Sequence, residues 1–207
     1  ANQRLNAKGK HGVEFGSVIY TESAEKAPRF IMNCNQNRIP LVFLHDVSGF
    51  MVGKEAEASG IIRAGAKLVN VVANSVVPKI SVVIGGSFGA GHYAMCGRAY
   101  DPRFLFAWPS AKYADMSGEA VARTLVEIRI AQLEKKGKKV GAADRDKLMD
   151  DTRQRYAAAL DPRYAAARLW VDAIIHPAAT REALITALDV AAHNANVPEF
   201  KTGVLQA

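Results

Sequence analysis

Cysteine is scarce in this chain: two in 207 residues, Cys34 and Cys96. Two thiols so far apart in sequence make neither a disulfide framework nor a CxxC metal site, so no metal ligand set is expected. Their low number fits a reducing compartment. Long apolar runs are absent too, and none reaches the roughly 18 residues that a membrane span needs. Acidic residues fall short of basic ones, 20 against 27, for a formal charge of +7 and a pI near 9.5. That balance suits an anionic small molecule, a nucleic acid or a membrane surface. The positives are scattered, apart from the run Glu134 to Lys139, which reads as a solvated helix end. The basic and aromatic interleaving of an RNA-binding sheet is missing, so no nucleic-acid partner is expected. Ala1 is preceded by no methionine, and no signal or basic leader follows it, so the chain reads as a piece of something longer.

What is present is the composition of a globular protein, 49% apolar and 23% charged. Disorder, collagen and coiled coil are excluded. A chain of this size buries about 70% of its unfolded surface, enough for a core without staples. Ala24, Ala27, Ile31 and Cys34 recur at helical spacing and predict a helix over 22–37, capped by Thr21 or Ser23 and kinked or delayed by Pro28. Before it, Gly12 to Tyr20 reads as an irregular or hairpin-like stretch. Pro40 to Asp46 reads as a buried strand, followed by a loop through Gly53. A long helix is expected over 55–75, with Ile61, Gly65, Leu68, Val69 and Val72 on one stripe. Lys79 to Ile84 reads as a second buried strand, ended by glycines, before a short helix from His92 to Gly97.

Strand, helix and strand in this order make a βαβ unit, with parallel strands and a right-handed crossover. Its loops lie at strand carboxyl ends, where open α/β sheets bind ligands. Further strands are predicted over Phe104 to Trp108 and Lys112 to Met116. Helices are expected over 118–137, 143–160, 163–170 and 178–194, with a hinge near Gly137 to Ala142.

The segment from Gly85 to Gly91 admits three readings. One is a tight turn with close helix–sheet packing. The second is a nucleophile elbow, since Gly85-Gly86-Ser87-Phe88-Gly89 is a literal G-x-S-x-G, with Asp172 and His193 completing a triad. The third is an oxyanion hole. Amides at a helix N-terminus lack helical partners and point outward, and small residues such as Ala90 and Gly91 leave them uncovered. A Walker loop is excluded, because no Gly-Lys-Ser/Thr follows.

The runs Gly49-Phe50-Met51-Val52-Gly53 and Val83 through Pro109 resemble the carboxyltransferase, or β, subunit of biotin-dependent acyl-CoA carboxylases. The similarity extends from Ala1 to Val204 and matches the C-terminal half of that subunit. Ser87-Phe88-Gly89-Ala90-Gly91 and Gly49 to Gly53 are worded like the methylcrotonyl-CoA and geranyl-CoA branch. The resemblance implies an α/β, crotonase-like fold with repeated β-β-α units, forming one domain over 1–207. It implies a biotin-side half that receives carboxybiotin from a partner, while an acyl-CoA is held by the missing N-terminal half. It further implies a biotin carboxylase and carrier as partners and assembly into a homo-oligomer. The compartment would be the cytoplasm in a bacterium or the mitochondrial matrix in a eukaryote. By this resemblance, the amides of Ala90 and Gly91 form the oxyanion hole, and Gly49, Phe50, Gly53, Gly89 and His92 surround the bound groups.

His45 and Asp46 read as a partly buried ring and a capping carboxylate rather than as tuned bases. Arg98 and Arg103 suit either CoA phosphates or surface pairing. Tyr100, Trp108 and Trp170 read as core. Three functions stand against one another: a carboxyltransferase half-site, a serine esterase and a non-catalytic assembly module. A fluorophosphonate probe separates the first two, because it labels Ser87 only in a hydrolase. Carboxyl transfer on adding the N-terminal half in trans excludes the third.

Overall fold

The computed structural model describes residues 6–9, 12–114, 118–137, 140–194 and 196–203. The described chain opens with an antiparallel pair, β1 (Ala7–Gly9) and β2 (Gly12–Glu14), whose first strand lies earlier than the Gly12 to Tyr20 stretch read as irregular or hairpin-like. Strand β3 (Val18–Ile19) follows, then helix α1 (Thr21–Gln36). Helix α1 runs on through Pro28, which is buried, so it neither starts late nor ends there. Its first turn is closed by Ser23, whose Oγ accepts the Tyr20 N–H at 2.9 Å.

Strand β4 (Leu41–Val47) leads to β5 (Gly49–Phe50), which pairs in parallel with β3. The long helix expected over 55–75 is two helices, α2 (Lys54–Ala58) and α3 (Ile61–Asn74). Between them Gly60 adopts φ +91°, a left-handed conformation that ends one helix and redirects the chain. Of the predicted stripe on α3, Ile61, Gly65, Leu68 and Val72 are buried and Val69 is half-buried.

Strand β6 (Lys79–Phe88) is the axis of the domain. Its first half pairs in parallel with β4 on one side and β7 (Phe104–Ala107) on the other. Its second half pairs with β8 (Lys112–Ala114), and β7 pairs with β9 (Ala173–Ile174). The βαβ expectation is therefore met. The sequence reading ended the strand at Ile84, but β6 carries through both glycines. Met116, at the end of the fourth predicted strand, lies outside the described residues, as do Lys138 and Lys139 in the expected hinge.

Helix α4 (Gly89–Ala94) leaves β6 directly, three residues earlier than the periodicity indicated. The remainder is α5 (Gly118–Lys135), α6 (Ala142–Leu160), α7 (Pro162–Ala166) and α8 (Thr180–Ala192). The helix expected over 163–170 stops at Ala166, and Leu169 takes φ +60° in the turn that follows. Strand β9 was not anticipated. Two residues flanked by turns carry no readable period.

The two faces of the parallel sheet bury different layers. Leu41 and Phe43 pack on α1 and α3 through Ile31, Cys34, Leu68 and Val72. Val83, Leu105 and Ala107 continue that side beneath Ala165 and Val171. Ile80, Val82 and Phe106 turn the other way, toward Ala187 of α8. Helix α8 does not cover that second face at β4. Val42 and Leu44, register partners of Ile80 and Val82, stay 41% and 50% exposed.

Two buried polar groups hold the layers in register. Asn35 of α1 accepts the Val76 N–H at 2.8 Å and donates to the Ile31 carbonyl at 2.8 Å, tying α1 to the segment that enters β6. His45 of β4 is fully buried, not half-buried as expected. Burial, followed by the neighbouring His92, pushes its pKa down from 6.5 to about 3.

Two outcomes follow. Asn35→Ala strands buried amides and should cost about 2–4 kcal/mol in chemical denaturation. His45 stays neutral in the folded chain while it binds a proton in the unfolded one below pH 6.5. Stability should therefore be constant on this account above pH 6.5 and fall progressively as pH drops toward 3. His45→Gln should flatten the slope between pH 6.5 and 5 in urea melts; an unchanged slope refutes the assignment.

Candidate active site at the strand-to-helix turn

Helix α4 owes its position to an irregularity in β6. His45 pairs with Val83 but Val47 pairs with Ser87, so β6 spends four residues where β4 spends two. The excess spans Gly85 and Gly86, and glycine there accommodates the bulged backbone. The Gly86 N–H donates to Asp46 Oδ1 at 3.0 Å and pins the bulge to β4. Asp46 thus satisfies a strand amide rather than capping a helix.

Beyond the bulge Phe88 is still extended, and Gly89 takes φ +53° as the first residue of α4. The amides of the first helical turn have no carbonyl one turn back, and the helix directs them outward. Ala90 is exposed and Gly91 is buried. A Cβ on Gly91 would lie 2.6 Å from Val47 Cγ2 and 3.1 Å from Gly49 Cα. Glycine at 91 is therefore required by the close approach of α4 to the β4–β5 corner, where Gly49 has φ +142°. This is the close-packing reading of the glycine segment, and it coexists with an amide-lined turn.

Ser87 is not an exposed nucleophile. It sits inside β6 with 1% of its surface accessible, and its Oγ lies between two imidazoles, 2.8 Å from His45 Nδ1 and 2.7 Å from His92 Nδ1. The expected triad does not form. Asp172 binds Arg98 at 3.0 Å and accepts the Leu105 N–H at 2.7 Å. His193 engages the carbonyl of Asp189 on its own helix through Nδ1, at 2.8 Å. The nucleophile-elbow reading is overturned by the burial of the serine and by the partners of the other two residues.

The row of polar groups runs outward from the core. His92 Nε2 lies 2.7 Å from the Tyr113 hydroxyl and accepts the Arg98 N–H at 3.3 Å. A Cβ on Gly97 would run into the His92 ring, so that glycine makes the imidazole's berth. Tyr113 opens onto a cleft of about 590 Å³ lined by Gly89, His92, Tyr93, Arg98, Tyr156, Tyr164 and Trp170. Trp170, read as core, is 42% exposed; its ring lies 6.2 Å from Tyr113 and 6.1 Å from Tyr164. Tyr100 and Trp108 do pack against the core, and the Trp108 indole N–H donates to Thr180 Oγ1.

Among the residues predicted to surround the site, Gly89 and His92 stand on the cleft wall. Ala90 and Gly91 belong to the same helix. Phe50 packs toward α3, where a Cβ on Gly65 would meet its ring at 3.1 Å, and Gly53, at φ +111°, is the residue before α2. Both stand off the cleft wall. Sequence reasoning missed Tyr113, Tyr164 and the outward placement of Trp170. Their one signal was aromatic content in segments of weak period.

The chain matches the family described as the carboxyl transferase domain over residues 1–205. It is 46% identical over 189 residues to the probable mitochondrial methylcrotonoyl-CoA carboxylase beta chain of Drosophila melanogaster, covering 91% of this chain and 32% of that protein. It is 47% identical over 176 residues to a biotin-dependent 3-methylcrotonyl-coenzyme A carboxylase beta1 subunit of Mycobacterium tuberculosis, covering 85% and 33%. Among solved structures it is similar to the geranyl-CoA carboxylase beta subunit of P. aeruginosa. There the TM-score is 0.76 at 37% identity, over 93% of this chain and 37% of that one. The 12S transcarboxylase superposes with a TM-score of 0.80 at 33% identity, over 93% and 36%. The chain thus spans about a third of the length of the relatives it matches. The α/β architecture is the crotonase-like fold of these proteins. With the match running almost end to end and the backbone agreeing, the chain belongs to the carboxyl transferase domain family.

Proposed function

We propose that this chain is the biotin-side half of an acyl-CoA carboxyltransferase. It would pass a carboxyl group from carboxybiotin to an acyl-CoA of the methylcrotonyl or geranyl type. The observation that carries the reading is the amide-bearing turn of α4 beside an aromatic cleft, in a chain whose whole length matches the family. The names of its relatives favour the substrate branch: methylcrotonoyl-CoA and geranyl-CoA carboxylase beta chains.

The cleft suits a biotin ring. Trp170, Tyr164 and Tyr93 offer flat apolar walls for its hydrocarbon part, and Gly89 leaves the helix start uncovered. Carboxybiotin, when bound, would supply the activated carboxyl group. The amides of Ala90 and Gly91 would hold its ureido oxygen, backed by the partial positive charge of the helix start. Gly49, packed beneath Gly91, sets how closely α4 approaches the β4–β5 corner. No side-chain nucleophile is needed, which fits a Ser87 sealed inside the sheet.

The acyl-CoA is held, on this reading, by the part of the relatives' length that this chain does not span. The same reading takes biotin on a separate carrier, a biotin carboxylase as partner and a homo-oligomeric assembly. The hexamer of the 12S transcarboxylase supports the last of these. Leu125 and Ile128 on α5 are about half exposed and offer apolar area for such contacts. Relatives in Drosophila melanogaster and Arabidopsis thaliana are mitochondrial, which favours the matrix if the source is a eukaryote and the cytoplasm if it is a bacterium. No described helix is long and apolar enough to cross a membrane.

The decisive experiment removes a donor without touching a side chain. In the complete β chain, replacing Ala90 by L-lactic acid turns its amide into an ester. Carboxyl transfer should fall about 10²–10³-fold, the usual effect of losing one oxyanion donor; unchanged turnover refutes the hole. Gly91→Ala should also impair the enzyme, but by displacing α4 from Val47, so a lowered melting temperature must accompany its loss of activity. A fluorophosphonate should leave Ser87 unlabelled.

A further inference from the structure

Among the described residues, the cleft beside α4 has one permanently charged side chain on its wall. The rest of that wall is aromatic rings, small residues and the His92 imidazole; the charge is the Arg98 guanidinium. Arg98 opens a one-turn 3-10 helix, Arg98–Tyr100, shortly after α4. Asp172 is its acidic partner, and the contact uses a single nitrogen: Nη1 donates to Oδ1 at 3.0 Å and to Oδ2 at 3.2 Å. A guanidinium has five N–H donors in a planar fork. Nη1 accounts for two of them, and no described residue accepts from the three on Nε and Nη2.

Asp172 holds the fork in place. Its carboxylate accepts the Leu105 N–H at 2.7 Å, and its own N–H donates to the Leu105 carbonyl at 2.8 Å. The acid is thereby fixed to β7, and it fixes the arginine at the cleft rim. A pair this exposed, with side chains 42% and 31% accessible, adds little to stability. Stability therefore does not account for a fixed guanidinium with an open edge on an aromatic wall. The nearby Arg168 is engaged elsewhere: it lies over the Tyr164 ring, 3.3 Å from the centroid, and donates to the Tyr164 carbonyl at 3.1 Å.

We propose that Arg98 is the carboxylate-binding residue of the cleft, receiving on Nε and Nη2 the carboxyl group borne by a ureido nitrogen of biotin. The inference rests on the carboxyltransferase reading and deepens it. Nε–H and one Nη2–H of a guanidinium run parallel and match the two oxygens of a carboxylate. One cation among aromatic walls suits a ligand that joins a single anion to a compact, largely apolar ring. The phosphates of CoA suit it less. They bring several negative charges, while Arg98 already shares its charge with Asp172 and no second cation lines the described wall.

The test uses the complete, assembled β chain and reads binding. The probes are two derivatives of biotin methyl ester, one with a carboxymethyl and one with a carbamoylmethyl group on the ureido nitrogen. They share a shape and differ by one negative charge, and the ester masks the other carboxylate. Calorimetry and tryptophan fluorescence report affinity. The unaltered protein should prefer the carboxylate about tenfold, the lower end for a charge-assisted hydrogen bond, as fits a half-exposed group. That preference needs no variant to test its origin: it should shrink in about 1 M salt, which screens charges beyond about 3 Å. Arg98→Gln should bind both probes equally, with its affinity for the amide unchanged; a merely structural arginine would weaken both alike. Arg98→Lys should keep part of the preference. Adenosine 3′,5′-bisphosphate, the charged end of CoA, should not displace the carboxymethyl probe, and displacement that Arg98→Gln abolishes overturns the carboxylate assignment. Equal binding of both probes by the unaltered protein, binding of neither while biotin binds, or a full preference in a folded Arg98→Gln protein overturns the inference and leaves the carboxyltransferase reading in place. An unaltered protein that binds no biotin at all overturns both.

Discussion

The constraint on which the site depends is the extra length in β6. Two residues more than β4 can match are absorbed at Gly85 and Gly86, and the strand then resumes with Ser87 opposite Val47. This slip aims Ser87 at His45 and His92 and delivers α4 against the β4–β5 corner. The corner accepts the helix because residue 91 lacks a Cβ, so its backbone approaches the Gly49 backbone, which itself turns at φ +142°. A side chain at 91 would push α4 off Val47 and move its first-turn amides. Precision at the turn thus comes from sheet geometry and from missing atoms, not from a side chain with chemistry of its own.

The surrounding energetics follow from burial. A fully buried imidazole cannot afford a charge, so His45 is held neutral and serves as the inner end of a hydrogen-bond row. Cys96 responds to the same environment in the opposite direction: burial pushes its thiol up to about 11, which keeps it protonated and unreactive. Lys79 is buried as well. Its ammonium donates to the carbonyls of Val72 and Ser75 and closes the C-terminal end of α3 just before β6 begins. Arg98 and Asp172 perform a similar service at the cleft rim, tying the turn after α4 to the start of β7. On the far side of the sheet Val42 and Leu44 remain uncovered, beyond the reach of α8.

The amino-acid sequence alone determined the parallel βαβ core, because buried strands and amphipathic helices write their periods locally. The stripe Ile61, Leu68 and Val72 on α3, and the run Leu41 to Asp46, were legible for that reason. The glycine segment was legible as a special place, and its resemblance to carboxyltransferases was carried by a long uninterrupted string of residues. Three things were decided only by the tertiary structure. The G-x-S-x-G string looked the same whether Ser87 faced solvent or core, and a register shift against β4 settled it. Gly60 broke a helix that periodicity alone would have continued, since a left-handed turn has no period. Tyr113, Trp170 and His92 came together from three separate segments. Hydrogen bonds between residues 42 and 21 positions apart, His45 to Ser87 and His92 to Tyr113, leave no mark on local sequence.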